Sequence, residues 1–159
     1  FSGTVDFGGG DVTSAGSNDI FVLKLDSSGV FQWVYTKGGT SSDYAYGITV
    51  DSSGNSYITG FFNGTVDFGG GDITSAGSDD IFVLKLNSSG AFQWVYTAGG
   101  NSTGFLIGDY AYAIDIDSSG NSYIAGYFSE TADFGGGDIT SAGSSDIFVL
   151  KLNPSGIFE

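Results

Sequence analysis

The sequence contains no cysteine, histidine, methionine or arginine. Without cysteine the chain forms neither disulfides nor thiolate metal sites. Without histidine or cysteine it cannot assemble a Ser-His-Asp or Cys-His nucleophile or the usual zinc ligand sets. Paired carboxylates remain possible in principle among the sixteen aspartates, but aspartates that recur once per repeat look structural, and Glu130 and Glu159 have no counterpart in the repeats described below. These absences predict that the protein is not an enzyme.

Basic residues are scarce, with four lysines against 18 acidic residues and a formal net charge of −14. The resulting field repels nucleic acid and anionic membranes, so cationic groups or divalent metal ions are the natural complement. No apolar run approaches the roughly 18 residues that span a bilayer, so membrane insertion is not expected. Hydrophobic residues still make up 40% of the chain and aromatic residues 16%, which is enough for a packed core.

Internal repetition is the strongest signal in the chain. Residues 1–36 return at 62–97 with five substitutions, and a third copy starts at Phe128. The offset between the first two copies is 61 residues and the next is 66. The five extra residues lie within 99–113, which aligns with 38–47.

Each repeat carries four short segments that are rich in aromatic and β-branched residues and bounded by Gly, Ser, Asn and Asp. In the second copy they are YAYGITV (44–50), SYITGFF (56–62), DIFVLKL (80–86) and AFQWVYT (91–97). The third segment is apolar on both faces, which a sheet covered on both sides explains. The predicted fold class is all-β, with β-propeller-type four-stranded antiparallel blades and about two and a half repeats of 61–66 residues.

These residues also carry a family resemblance. DYAYGITVDSSGNSYITGFF (43–62) and DDIFVLKLNSSGAFQW (79–94), followed by GG, resemble the bacterial SBBP-type β-propeller repeat. That pattern places an Asp before the first strand, then a VDSSGN-Y-TG hairpin, a DAFVAKL-SSG strand and a closing Trp/Tyr strand. The resemblance covers essentially the whole chain. It implies a blade fold and an extracellular or cell-surface location, and it implies no activity, because propellers host many.

The repeat boundaries divide the chain into three parts. Residues 1–42 are expected to form a partial blade (the last two strands with the preceding loop), 43–108 a complete blade with an inserted loop at 101–108, and 109–159 a partial blade (the first three strands). Both ends carry the same half repeat, so one chain cannot close a ring by pairing its own termini. The expected partners are further repeats of a longer chain, or other copies that complete blades by strand addition.

Two function classes remain. The favoured one is a non-catalytic extracellular binding or adhesion scaffold, on a cell surface or in a secreted protein, with a protein or glycan ligand. The alternative is a structural repeat unit of a surface filament or oligomeric assembly, built by blade completion between chains. In either class, the links between second and third strands, such as 63–79, are expected to be long acidic loops that share one face with the blade-to-blade links.

The segment DSSGN recurs at 51–55 and 117–121, where it resembles either a calcium loop or a turn. Asp-Ser-Ser-Gly fits a type I turn with a G1 bulge, which needs Gly where φ becomes positive. Asn replaces Asp in two related turns, at Asn87 and Asn153, so the carboxylate is dispensable there and the turn is favoured. An EF-hand is excluded because its Asp/Asn alternation and terminal Glu are missing. No cofactor is predicted, and calcium stays the alternative.

Three further sets of residues are candidate sites. Three lysines lie five residues after an aspartate, where a blade-to-blade ion pair or an apolar stem is favoured over a ligand contact: Lys24, Lys85 and Lys151. An aromatic set is assigned to the inter-blade core rather than to a sugar platform: Trp33, Tyr44, Tyr46 and Tyr57. Three N-x-S/T triplets leave glycosylation undecided: Asn63, Asn87 and Asn101.

The insertion brings Phe105, Leu106 and Ile107 together in the sequence. Three adjacent large apolar residues on an acidic chain indicate a contact site for a neighbouring subunit or blade, although the loop would also suit plugging the end of its own blade.

We predict that replacing Phe105 and Leu106 by Ser weakens assembly or partner binding and leaves the far-UV circular dichroism of the blades intact. The reason is that the corresponding loop of the first repeat, 40–42, contains no large apolar residue, so the blades do not need these side chains to fold. Unfolding of the double variant, or unchanged assembly and binding, would contradict a contact site.

Overall fold

A computed structural model describes residues 1–102 and 108–159, so the predicted contact residues Phe105, Leu106 and Ile107 lie outside the described residues. The described residues form strands and no helix, which confirms the all-β prediction. Within those two ranges no helix is long and apolar enough to cross a membrane. The strands are β1 (Thr4–Asp6), β2 (Asp11–Thr13), β3 (Ile20–Leu25), β4 (Phe31–Lys37), β5 (Tyr44–Val50), β6 (Ser56–Asp67), β7 (Asp72–Leu86), β8 (Phe92–Gly100), β9 (Tyr110–Ile116), β10 (Ser122–Phe128), β11 (Thr131–Asp133), β12 (Asp138–Thr140) and β13 (Asp146–Leu152).

The central blade is the antiparallel sheet β5-β6-β7-β8, in chain order. Before it, β3 and β4 pair with each other alone, in the register that β7 and β8 adopt. After it, β9, β10 and β13 form a three-stranded antiparallel sheet in that order. The same repeat therefore folds into the same strands in each copy, and the strand sets differ because the copies contain different parts of the repeat.

The prediction that residues 63–79 form a long loop is wrong, because most of them belong to strands. There β6 and β7 continue as a paired ribbon, in which the hydroxyls of Thr65 and Thr74 lie 2.7 Å apart across the two strands. The turn at its tip is closed because Asp67 Oδ1 accepts hydrogen bonds from two glycine N–H groups, at 2.7 and 2.9 Å. Phe68 packs into the core at this turn. The first and third copies form the same ribbon as β1-β2 and β11-β12.

The core consists of two layers on opposite faces of the central blade. Phe82 and Leu84 point to one face of β7 and pack with Ile20 from the preceding blade. Ile81 and Val83 point to the other face and pack with residues of β9, β10 and β13. All four β7 side chains are fully buried, so the apolar run in the sequence reflects a strand covered on both sides.

The Asp-Ser-Ser-Gly segments form tight turns. In the first of them, Gly54 has a φ of +81° and its N–H donates to the Asp51 carbonyl at 2.9 Å. Asp51 Oδ1 also accepts bonds from the N–H groups of Ser53 and Asn55. Asn87 Oδ1 accepts the equivalent two bonds, at 3.0 and 2.9 Å, so an amide oxygen serves as well as a carboxylate. These hydrogen bonds confirm the turn interpretation.

Candidate functional site

Each pair of neighbouring blades is joined by an aspartate that accepts backbone N–H groups from both. Asp109 lies just before β9 and is fully buried. Its Oδ2 accepts from Gly100, at the end of β8, at 2.9 Å, and its Oδ1 accepts from Ser129, just after β10, at 3.1 Å. The preceding junction repeats this arrangement at 2.7 and 3.0 Å, through Asp43, Gly39 and Asn63. These aspartates therefore tie the outer strand of one blade to the second strand of the next.

A second buried carboxylate faces each of these bridges. Asp80, at 5% exposure, precedes the blade portion of β7, and its Oδ2 accepts a 2.8 Å bond from the Ala76 N–H. Its Oδ1 is buried and has no hydrogen-bond partner among the described residues. A Cβ built on Gly99 would lie 2.4 Å from Asp80 Oδ1 and 2.9 Å from Asp109 Oδ2. The two carboxylates therefore meet at Gly99, where there is no room for a side chain.

Burial sets the electrostatics of this site, which we call the second blade junction (Asp79, Asp80 and Asp109). Loss of hydration raises the pKa of Asp80 to about 6, and the charges of Asp109 and Asp79 add to that effect. Loss of hydration likewise raises the pKa of Asp109 to about 6, against the opposing bonds from Ser129 and Gly100. The second blade junction therefore favours retention of a proton at a pH where an exposed aspartate is ionised.

Asp79 distinguishes this junction from the first one. Its Oδ2 accepts a 2.5 Å hydrogen bond from the Tyr110 hydroxyl, and its Oδ1 accepts a 2.9 Å bond from Asn63 Nδ2. At the equivalent place in the first junction Asn18 donates to the Tyr44 hydroxyl at 2.8 Å. The second junction consequently carries one more carboxylate than the first.

The predicted aromatic set divides between core and surface. Tyr57 is buried, with its ring 6.1 Å from that of Trp94, and Trp33 donates its indole N–H to the Ser88 carbonyl of the next blade at 3.2 Å. Tyr44 and Tyr46 are 37% and 48% exposed. The core assignment is therefore right for Tyr57 and wrong for the two exposed tyrosines.

The repeated lysines do not pair with the aspartates that precede them. Lys24 Nζ donates to the Ser88 carbonyl at 2.9 Å, so it does contact the next blade, through a neutral acceptor. Lys85 lies 4.9 Å from the centre of the Tyr57 ring. Lys151 pairs with Glu159 at 2.6 Å, and that ion pair is partly exposed. The predicted blade-to-blade ion pair is therefore wrong, whereas the apolar-stem alternative fits Lys85.

The outer faces of the two partial blades are open. β3 pairs with β4 alone, whereas its counterpart β7 has a partner on each edge. A groove of about 370 Å³ runs between β3 and β5, lined by apolar residues that include Ile20, Phe21 and Ile48. At the other end Ile147 and Val149 are 84% and 74% exposed, whereas their counterparts in β7 are fully buried. Both ends therefore show apolar surface of the kind that another blade covers.

Sequence reasoning did not identify the bridging role of Asp43 and Asp109. Both aspartates follow a Gly-Gly pair and precede a Tyr-Ala-Tyr strand, and this recurrence is the signal that was present. The recurrence does not by itself indicate a bridge, because the backbone groups that each aspartate contacts come from segments remote in the sequence.

Comparison with known proteins is consistent with this architecture. Residues 35–60 match the SBBP β-propeller repeat family, which confirms the resemblance seen in the sequence. The matched residues include the bridging Asp43 and the turn at Asp51. The chain is also 27% identical, over 168 aligned residues, to an uncharacterized WD repeat-containing protein of Acanthamoeba polyphaga mimivirus. That alignment covers 90% of this chain and 11% of the viral protein, so the chain spans a small part of this relative's length.

We predict that Asp109→Ala lowers the free energy of unfolding by about 2–4 kcal/mol, because two buried N–H groups lose their acceptor. Asp115→Ala is the control, since Asp115 lies on the same strand, carries the same charge and is exposed. Urea denaturation of both variants at one pH measures the difference. Equal stabilities for the two variants would show that the bridge contributes little.

Proposed function

We propose that this chain is a non-catalytic β-propeller scaffold that works outside the cell or on its surface and presents a binding or adhesion face. The β-propeller repeat match supports the scaffold, and the resemblance to SBBP repeats supports the location. The single observation that carries the proposal is that β13 and the groove beside β3 expose apolar residues whose counterparts on β7 are buried. Surfaces of this kind are suited to contact with a further blade.

The internal repeat identifies what fits the open edge of β3. In the central blade the equivalent edge of β7 is paired with β6, which forms a hairpin with β5. Phe21 is 44% exposed, whereas its counterpart Phe82 is fully buried. A hairpin of the type formed by residues 43–61 would pair with β3 and cover the groove beside it.

The three Gly-rich ribbons are the best candidates for the binding face. Each carries exposed aspartates at its turn, and Asp6 and Asp67 accept glycine N–H groups there. Those bonds hold the pKa of both carboxyls below its usual range, so the charges persist in mildly acidic solution. Fixed negative charges on rigid turns of an acidic protein suit a partner with cationic groups.

A second candidate function is a structural unit in a filament or oligomer built by blade completion between chains. The specific observation in its favour is that β13 exposes Ile147 and Val149 while a largely apolar groove is open beside β3. A head-to-tail contact between these two different surfaces closes into a ring or extends into a fibre according to its rotation.

The test is a chain in which residues 43–61 are placed directly before Phe1. This reproduces the natural connection, because Phe1 corresponds to Phe62 in the repeat. We expect the extended chain to melt at a higher temperature than the 159-residue chain and to associate less in light scattering. A Gly/Ser extension of equal length is the control. A stable, monodisperse 16.3 kDa monomer that gains nothing from the hairpin would contradict the proposal.

A further inference from the structure

The second blade junction contains a buried carboxylate oxygen that lacks a partner. Asp80 Oδ1 accepts no hydrogen bond from any described residue, and the equivalent Asp19 Oδ1 in the first junction accepts none either. Both residues are 5% exposed. A buried ionised oxygen without a donor is costly, so its recurrence in two junctions indicates that something else satisfies it.

The geometry points to a proton as the missing partner. Asp80 Oδ1 and Asp109 Oδ2 lie 2.4 Å and 2.9 Å from one point, the position of a Cβ on Gly99. Two carboxylates that share a buried site cannot both ionise without strong repulsion. We propose that they share one proton, which is carried on Asp80 Oδ1 and donated to Asp109 Oδ2. The shared proton gives Asp80 Oδ1 a hydrogen-bond partner, and it also removes the repulsion between the two carboxylates.

A metal ion explains the site less well than a proton does. Both oxygens of Asp109 and the Oδ2 of Asp80 already accept backbone N–H groups. Calcium takes about six to eight oxygen ligands, and this leaves one carboxylate oxygen of the pair without a partner. In the part of the chain that the structure describes, no group of three or more acidic, His or Cys side chains has the geometry to hold a metal.

The charges around the pair favour the proton. Asp79 faces it from β7 and Asp43 lies at the start of β5, while the hydroxyls of Tyr110 on β9 and Tyr127 on β10 interact with Asp79. Among the described residues, the lysine ion pairs are elsewhere, at Asp67 and Glu159. Burial first, and then the charges of Asp109 and Asp79, raises the pKa of Asp80 to about 6.

The shared proton makes the packing of the blades depend on pH. The unfolded chain has an ordinary aspartate pKa of 3.8, and the folded value is about 6, so the folded state binds the proton more tightly. Its contribution to stability is therefore fully present below about pH 4 and is lost as the pH rises through about 6. The exposed Asp6 and Asp67, whose pKa is lowered, act in the opposite direction and only at lower pH. The second blade junction is thus strengthened by mild acid.

The test uses Asp80→Asn in the full chain. The amide is neutral at every pH, its Nδ2 can donate to Asp109, and its oxygen can still accept from Ala76. We expect this variant to melt about 3–6 °C above the wild type at pH 7.5 and at the same temperature at pH 4.5. Asp146→Asn is the matched control, because Asp146 accepts the same turn bond at 2.7 Å but no aspartate follows it in the 159 residues.

Two results would overturn the shared proton. One is an Asp80→Asn variant that is less stable than wild type by the same amount at both pH values. The other is an equal gain at pH 7.5 in Asp146→Asn, which would assign the effect to net charge. If Asp80→Asn does not fold, carbon-13 titration of the wild-type side chains decides, since the proposal requires the Asp80 carboxyl to titrate near pH 6 and a midpoint near 4 refutes it.

Discussion

The structure depends on satisfying the backbone N–H groups where one blade covers the end of the next. The amides of Gly100 and Ser129 belong to different blades, and both donate to Asp109 in a fully buried site. Bulk water cannot accept hydrogen bonds from these buried N–H groups, so a short side chain with two acceptor oxygens is required. Aspartate meets this requirement, and the same solution recurs at Asp43.

This constraint explains why position 99 is a glycine and why the second blade junction contains buried carboxylates. The bridging carboxylate and Asp80 can approach each other only because Gly99 has no side chain. Their proximity then places two acids in a site with little hydration. An acidic protein thus keeps part of its charge inside, at the joints between blades, where its protonation is coupled to packing.

The repeat made most of the fold predictable, and the exceptions have physical causes. The predicted strand 44–50 matches β5, because alternating large residues and flanking turns mark it clearly. The ribbon at 63–79 escaped prediction because its glycines and small polar residues are typical of loops, and its pairing through Thr65 and Thr74 is visible only in three dimensions. The role of Asp80 was equally hidden, because Asp109, which it meets at Gly99, lies just before another strand and far along the chain.

The central claim is that the bridging aspartates hold neighbouring blades together, and native-state hydrogen exchange tests it most directly. The amides to follow are those of Gly100 and Ser129, with the fully buried Val83 of β7 as the reference. If Asp109 locks the junction, both amides open only when the blades separate, and their protection should match that of Val83. Exchange of either amide as rapid as that of the exposed turn amide of Ser53 would contradict the account.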